Sequence, residues 1–244
     1  MQKKNILITH HGRTMKATLC LSEKGGRLPA VIFSHGFNGR GEDFEQAAEA
    51  VTEKGINAVY FDFCGGSRVP NETFPSTAMN LDTEKEDLRA VIEYVLKSME
   101  TERLYLFGAS HGGLVTALLA EEIEDKAEGI ILQYPAFCVG DDWRKRFPKK
   151  EDIPEVQDLW GIKLGRQYFE RIHDFDVFEH IGRYSKSVLI MHGDKDGIVP
   201  ISYSERAAAL YPNAEYVPFA GEGHGFGREG EEKMIGLLLK FMAG

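Results

Sequence analysis

Cysteine and long apolar runs are scarce in this sequence of 244 residues. Cysteine occurs three times, at Cys20, Cys64 and Cys138, an odd number without CxxC spacing. Neither a disulfide framework nor a zinc site is therefore implied, and a reducing compartment fits best. The apolar stretch behind the first lysines is confined to residues 6–8, and no run of about 18 apolar residues follows, so neither a signal peptide nor a membrane span is predicted. We therefore expect a soluble, cytoplasmic protein without a membrane partner.

Positive charge is also in short supply. The chain has 29 Lys and Arg against 38 Asp and Glu, a formal net charge of −9, and its most basic run is the short cluster at 144–146. A nucleic-acid partner is therefore not expected. The sequence contains no phosphate loop, no dinucleotide fingerprint and no metal-ligand spacing, so we predict no cofactor and no metal. The partner that we expect is a small-molecule substrate. The chain could also form a homodimer.

What is present is an alternation of short β-rich runs with amphipathic helical stretches, which is typical of βαβ units around a mostly parallel sheet. An antiparallel hairpin is predicted first, with strands at 4–9 and 14–22 and a turn from His10 to Arg13 that contains Gly12. The further predicted strands are 29–34, 56–61, 104–107, 129–133, 188–192 and 215–218, and the helices are 43–54, 83–99, 114–122 and 231–242. The fold class is therefore α/β.

The connection between the strands at 129–133 and 188–192 is unusually long. More than 50 residues separate the two strands, too many for an ordinary crossover helix. We assign 136–183, which holds both tryptophans, to an inserted cap over one end of the sheet, and 1–135 with 184–244 to the core. The alternative is a pair of extra helices at the sheet edge whose aromatic residues fill a small core of their own.

Residues 108–112 match the pattern G-x-S-x-G, with Ser110 at the centre. The glycines are needed because such a serine lies on a strained turn between a strand and a helix, where a neighbouring Cβ would clash. The motif follows a predicted strand and precedes a predicted helix, as this turn requires. Ser110 is therefore the candidate nucleophile, the alternative being a glycine-rich turn with an exposed serine.

A serine hydroxyl needs a base and a third group that orients the base. In α/β folds with the nucleophilic serine on such a turn, the three residues follow one another along the chain in the order serine, acid, histidine. Of eight histidines, only His224 follows the acid candidates, in a glycine-rich loop; a surface histidine without a role is the alternative. Asp194 and Asp196 share the loop after the strand at 188–192. We favour Asp196 as the acid, and Asp194 as the carboxylate that holds the turn through backbone amides.

Two backbone amides are candidates for an oxyanion hole, which must stabilise the charge that develops during acyl transfer. The amide of His111 lies at a helix N-terminus directly after Ser110. The amide of Phe37 lies in the loop 35–37 that follows the first parallel strand. We expect His35 to support this loop by hydrogen bonding.

Taken together, the motifs resemble the α/β-hydrolase superfamily across essentially the whole chain. The segments that carry this resemblance are 35–37, 108–112, 192–196, 199–200 and 223–224. The compact size and the insert are similar to those of the bacterial cinnamoyl and feruloyl esterases, through residues 153–155, 160–161 and 164–168. The family often has Gln at the position of His111, a difference that leaves the amide donor in place.

The resemblance implies a serine carboxylic-ester hydrolase that cleaves hydroxycinnamate esters through an acyl-enzyme. It also implies that polar groups of the inserted lid meet the phenolic end of the substrate. The candidate substrate-binding residues are Tyr168, Asp141, Asp142 and Trp160.

Other functions would use the same triad. They are a generalist short-chain carboxylesterase, a thioesterase or lipase, and an oligopeptide hydrolase, which the serine motif by itself does not separate. A ligand receptor that keeps the fold without turnover is the alternative from another class.

Overall fold

An antiparallel hairpin opens the computed structural model, which describes residues 1–244. Strands β1 (Gln2–His10) and β2 (Arg13–Leu21) pair along their whole length. Their two-residue turn has positive φ at both positions, 46° at His11 and 77° at Gly12. Turns of this kind match the right-handed twist of the flanking strands, so the hairpin forms where the sequence predicts it.

Six parallel strands continue the sheet beyond the hairpin. They are β3 (Leu28–Ser34), β4 (Asn57–Phe61), β5 (Thr101–Ala109), β6 (Gly129–Gln133), β9 (Ser187–Gly193) and β10 (Ala214–Phe219). The order across the sheet is β1-β2-β4-β3-β5-β6-β9-β10, and β2 runs antiparallel to β4. Because the six strands are parallel, their carboxyl ends meet at one edge of the sheet. The predicted α/β-hydrolase fold class is confirmed.

Helices cover both faces of the sheet. Those of the core are α1 (Glu45–Glu53), α2 (Leu81–Ser98), α3 (His111–Ala120), α6 (Ser202–Leu210) and α7 (Arg228–Ala243). Helix α2 begins at a reciprocal cap, in which the Asn80 side chain accepts from the Thr83 amide and Thr83 Oγ1 accepts from the Asn80 amide, both at 3.0 Å. The apolar residues form two large clusters. No helix is both long and apolar enough to cross a membrane.

The predicted insert, 136–183, contains α4 (Val139–Arg146), a small hairpin of β7 (Val156–Leu159) and β8 (Ile162–Gly165), and α5 (Arg166–His173). Its buried aromatic residues belong to the larger core cluster, whereas Trp160 is 60% exposed. Trp160 and Gly161 form the turn of the small hairpin, with φ of 52° and 87°. The Asn38 side-chain amide donates to the Trp160 carbonyl at 3.2 Å, so this turn lies beside the loop after β3.

Candidate active site

Ser110 occupies the sharp turn between β5 and α3. Its backbone has φ 52° and ψ −119°, a strained conformation for a residue with a Cβ. A Cβ on Gly108 would lie 2.4 Å from the Gly112 carbonyl oxygen, and one on Gly112 would lie 2.4 Å from the His35 carbonyl oxygen. Glycine is therefore required at both positions for the chain to turn so tightly and present the serine oxygen at the sheet edge.

The structure brings together the three residues that the sequence analysis selected. Ser110 Oγ lies 2.9 Å from His224 Nε2, and His224 Nδ1 lies 2.8 Å from Asp196 Oδ2. The three residues follow β5, β10 and β9, so the parallel sheet places them at one edge although 114 positions separate serine and histidine. The Asp196 side chain is wholly buried and that of His224 is 16% exposed. The serine hydroxyl is thus placed to donate to the imidazole, and the imidazole Nδ1–H to donate to the carboxylate.

Asp196 is held as an anion by three further contacts of its loop and its neighbours. His192 Nε2 lies 3.1 Å from Oδ2, and the amides of Ile198 and Val199 donate to Oδ1 at 2.8 and 2.9 Å. Burial by itself would raise the pKa of this carboxyl. The hydrogen bonds from His192, His224 and the two amides outweigh that effect and hold its pKa far below the usual range. The carboxylate therefore stays charged opposite His224.

His192 is a part of the site that sequence reasoning missed, because it precedes the acid in the chain. Its Nε2 also lies 3.0 Å from the Val199 carbonyl, and its Nδ1 lies 2.7 Å from Ser204 Oγ. Two acceptors face Nε2, so this nitrogen carries the proton and Nδ1 accepts from the serine. The sequence feature that could have pointed to His192 is its position at the end of a buried strand, four residues before Asp196.

Two further contacts position the loop that carries His224. Asp194 Oδ1 accepts from the Gly221 amide at 2.7 Å, which ties the acid loop to the base loop and gives Asp194 the turn-holding role expected of it. The ring of Tyr134, a residue that the sequence analysis did not select, lies 4.6 Å from the His224 ring. Tyr134 has φ 35°, which is unusual for an aromatic residue and turns the chain after β6 toward the site.

Both predicted oxyanion donors flank the serine. His111 is the first residue of α3, where a helix leaves its N–H groups unpaired, and the Phe37 amide donates no hydrogen bond within the protein. His35 supports the Phe37 loop as expected: its Nδ1 lies 2.7 Å from the Gly36 carbonyl and its Nε2 accepts from the Phe63 amide at 3.1 Å. Burial lowers the pKa of His35, so the ring is neutral and donates only through Nδ1.

Two chambers open on either side of Ser110. One, of about 180 Å³, is mainly apolar, and its wall includes His111, Val139, Asp142, Trp143, Leu159 and Tyr168. The other, of about 280 Å³, is mainly polar, and its wall includes Asn38, Asp43, Arg68, Gln133, His224 and Glu231. Phe37, Ser110 and Trp160 line both chambers. A substrate whose reacting atom meets Ser110 can therefore place one part in each.

Three of the four predicted substrate-binding residues line these chambers, and the fourth does not. Tyr168 and Asp142 line the apolar chamber and Trp160 lines both. Asp141 lines neither chamber: its carboxylate pairs with Arg144 and accepts from the Tyr203 hydroxyl at 2.5 Å. Successive residues of a helix point about 100° apart, so of these two neighbouring aspartates only Asp142 faces the chamber.

Behind the nucleophile lies a buried pair that the sequence analysis did not foresee. The Glu84 side chain, on α2, is 2% exposed and its Oε2 lies 2.5 Å from His111 Nε2. The His111 side chain is 4% exposed and its ring lies 6.0 Å from that of Tyr168. The residue after the nucleophile is thus anchored to α2.

The comparisons with known proteins agree with this architecture. The sequence model of the serine aminopeptidase, S33, family matches residues 27–168. The AB hydrolase superfamily protein YisY of Bacillus subtilis is 24% identical over 274 residues, which cover 95% of this chain and 98% of that protein. The putative carbamate hydrolase RutD of Caulobacter segnis is 30% identical over 113 residues, 45% of this chain and 42% of that one.

Among solved structures, Est1E from Butyrivibrio proteoclasticus with bound ferulic acid is similar over 98% of both chains. The TM-score is 0.88 and the sequence identity is 26%. The resemblance to α/β-hydrolase esterases of the feruloyl type is therefore confirmed for the chain as a whole.

Proposed function

Because the chain belongs to the serine aminopeptidase S33 family of α/β hydrolases, we propose that it is a serine carboxylic-ester hydrolase that forms an acyl-enzyme on Ser110. The observation that carries this proposal is the hydrogen-bonded chain from Ser110 through His224 to Asp196, with distances of 2.9 and 2.8 Å. Such a chain has the geometry that nucleophilic catalysis by serine requires.

In the proposed acylation step, His224 Nε2 takes the hydroxyl proton while Ser110 Oγ attacks the ester carbonyl. Asp196 stabilises the imidazolium that forms. The amides of Phe37 and His111 donate to the oxyanion, each contributing roughly 3 kcal/mol of transition-state stabilisation. The imidazolium then protonates the leaving alcohol as the tetrahedral intermediate collapses to the acyl-enzyme.

Deacylation uses the same groups in the reverse sense. Water takes the place of the alcohol, and His224 Nε2 removes its proton as the oxygen attacks the acyl carbon. The same two amides hold the second oxyanion. Protonation of Ser110 Oγ by His224 releases the carboxylic acid and restores the free enzyme.

We propose that the acyl group is a hydroxycinnamate. The apolar chamber is walled by aromatic rings and has the polar groups of Tyr168 and Asp142 in its wall, which suits an aryl group with a phenolic end. The similarity to a structure that holds ferulic acid supports the same class. The polar chamber would take the alcohol, and the buried Gln133 Nε2, which has no hydrogen-bond partner, is available as a donor there.

The test is hydrolysis of methyl ferulate by the wild-type chain, by Ser110→Ala and by the control Ser202→Ala, whose serine is exposed at the start of α6. We expect Ser110→Ala to lose activity and labelling by a fluorophosphonate, and the control to keep both. Undiminished turnover by Ser110→Ala would refute the mechanism, and a wild-type chain that is neither active nor labelled would indicate a receptor.

A substrate panel tests the acyl group separately from the mechanism. We expect kcat/KM for methyl ferulate to exceed that for an aliphatic methyl ester of equal length, for p-nitrophenyl butyrate and for an acyl-CoA. Comparable values for the two methyl esters would identify a generalist esterase. Faster cleavage of an acylated peptide or an aminoacyl p-nitroanilide would place the activity with the peptidases of the family.

A further inference from the structure

Two histidines and a glutamate meet where the opening hairpin touches α2, apart from the residues of the active site. His10 and His11 lie at the hairpin turn and Glu86 lies in the second turn of α2. One ligand atom from each residue lies within 4.8 Å of the other two. The proposed ester hydrolysis uses none of the three, so this cluster calls for a separate explanation.

The separations in the cluster suit a bound metal ion. A zinc ion holds nitrogen and oxygen ligands at about 2.1 Å in tetrahedral geometry, which places neighbouring ligand atoms roughly 3.4 Å apart. His10 Nε2 and Glu86 Oε2 are 3.4 Å apart in the structure. The His11 nitrogen lies within 4.8 Å of both of these atoms, and rotation of this exposed ring would bring it to the same spacing.

The backbone of the turn is what makes the two imidazoles neighbours. In an extended strand, adjacent side chains point to opposite faces. The left-handed conformation of His11, with φ 46°, breaks this alternation and brings its ring to 4.0 Å from that of His10. Asparagine, aspartate and glycine are the usual residues at such turn positions. The histidine at position 11 replaces one of these common residues with a side chain that can bind a metal ion.

Further contacts hold the carboxylate in a fitting orientation. Arg89 Nε donates to Glu86 Oε1 at 3.1 Å, which leaves Oε2 directed at His10. Arg89 also contacts Glu122 at 2.5 Å, so its charge has a second partner. Partners of this type orient the ligands of known metal sites and raise their affinity.

The hairpin itself is fixed against α2 by a neighbouring ion pair. Arg13 Nε donates to Asp87 Oδ1 at 2.8 Å, and both side chains are largely buried, at 11% and 1% exposure. Arg13 also donates to the Thr83 carbonyl at 3.3 Å. The turn therefore keeps its place over Glu86 before any ion binds.

We propose that His10, His11 and Glu86 bind a divalent transition-metal ion, and that this ion is Zn²⁺. Two imidazoles and one carboxylate form a donor set that zinc accepts readily, with water completing the coordination. The ion would join β1 to α2 and so stabilise the edge of the sheet. Sequence spacing could not indicate the site, because 76 positions separate His10 from Glu86.

The experiment is calorimetric titration of the metal-free full-length chain with Zn²⁺. We expect one strong site per wild-type chain. His11→Asn removes an imidazole and keeps a residue that tolerates positive φ, and Glu86→Gln keeps the side-chain length and an acceptor for Arg89. Each should raise the Kd at least about tenfold. The control is His180→Asn, which removes an exposed histidine stacked on Phe175 and should leave the Kd unchanged.

A thermal-unfolding measurement gives a second readout that is independent of esterase activity. At about 100 times the Kd, Zn²⁺ should raise the Tm of the wild-type chain by about 5 °C or more, and should not do so for His11→Asn. The proposal is overturned if the wild-type chain binds no Zn²⁺ at millimolar concentration. It is equally overturned if the two cluster variants bind like the wild type, or if His180→Asn weakens binding as much as they do.

Discussion

The buried pair of Glu84 and His111 yields a stability prediction whose size follows from its burial. With 2% and 4% of the two side chains exposed, solvent screens their interaction very little. Replacing His111 by Leu leaves the buried carboxylate without its donor, and a buried carboxylate without a partner costs about 3–5 kcal/mol. Replacing Glu84 by Leu leaves an imidazole N–H without an acceptor, which costs about 1–3 kcal/mol.

The double variant separates this pair interaction from simple loss of packing. When both partners are replaced by apolar side chains, no polar group is left unsatisfied, so the cost is often close to zero. We expect the double variant Glu84→Leu/His111→Leu to be destabilised by about 2 kcal/mol or less. The two single effects would then exceed the double effect by at least about 2 kcal/mol, and this excess measures the coupling.

The assay is urea unfolding followed by tryptophan fluorescence. With an m-value of about 3 kcal/mol/M for a chain of this size, a loss of 4 kcal/mol moves the midpoint down by about 1.3 M urea. Additive single and double effects would refute the reasoning. So would a loss below about 1 kcal/mol for His111→Leu, because that result would mean that the carboxylate reaches water.

Three further predictions concern the candidate active site. Asp196→Asn should lower kcat by roughly 10⁴-fold in a methyl ferulate assay, because the imidazole loses its orienting anion; a loss below tenfold would contradict the assigned role. Since the pKa of Asp196 lies well below its ordinary value of 3.8, its stabilising effect is complete above that value and is lost as the pH falls toward the folded-state pKa. The unfolding free energies of the wild type and Asp196→Asn should therefore differ by a constant amount from about pH 5 to 8 and converge below about pH 4 in urea titrations. Tyr168→Phe should raise the KM for methyl ferulate more than the KM for methyl cinnamate, which lacks the phenolic group. The control Asp141→Asn should change neither KM. Equal effects of Tyr168→Phe on both esters would show that the Tyr168 hydroxyl does not contact the phenol.

The sequence reached the fold class and the candidate triad because these depend on local patterns. Periodicity separates strands from helices over short windows. The need for glycine around Ser110 is a steric property of one turn, visible as G-x-S-x-G. Ser110, Asp196 and His224 lie on three loops at the carboxyl edge of the sheet. Their order along the chain was therefore enough to select His224 as the candidate base among eight histidines.

The tertiary structure alone decided which polar residues were buried and which faced a chamber. Glu84 and Asp142 belong to helical stretches with the charged composition of a solvated face. Glu84 gains its buried partner only because α2 packs against α3. Asp142 lines the apolar chamber only because α4 lies beside Ser110. His192 was missed because it precedes Asp196 in the chain, and its contact with that carboxylate forms only when the loop after β9 closes. The pairing of His10 with Glu86 likewise exists only once the hairpin docks on α2. Local sequence encodes period and turn sterics, whereas contacts between distant segments follow from strand order and helix packing, which no short window contains.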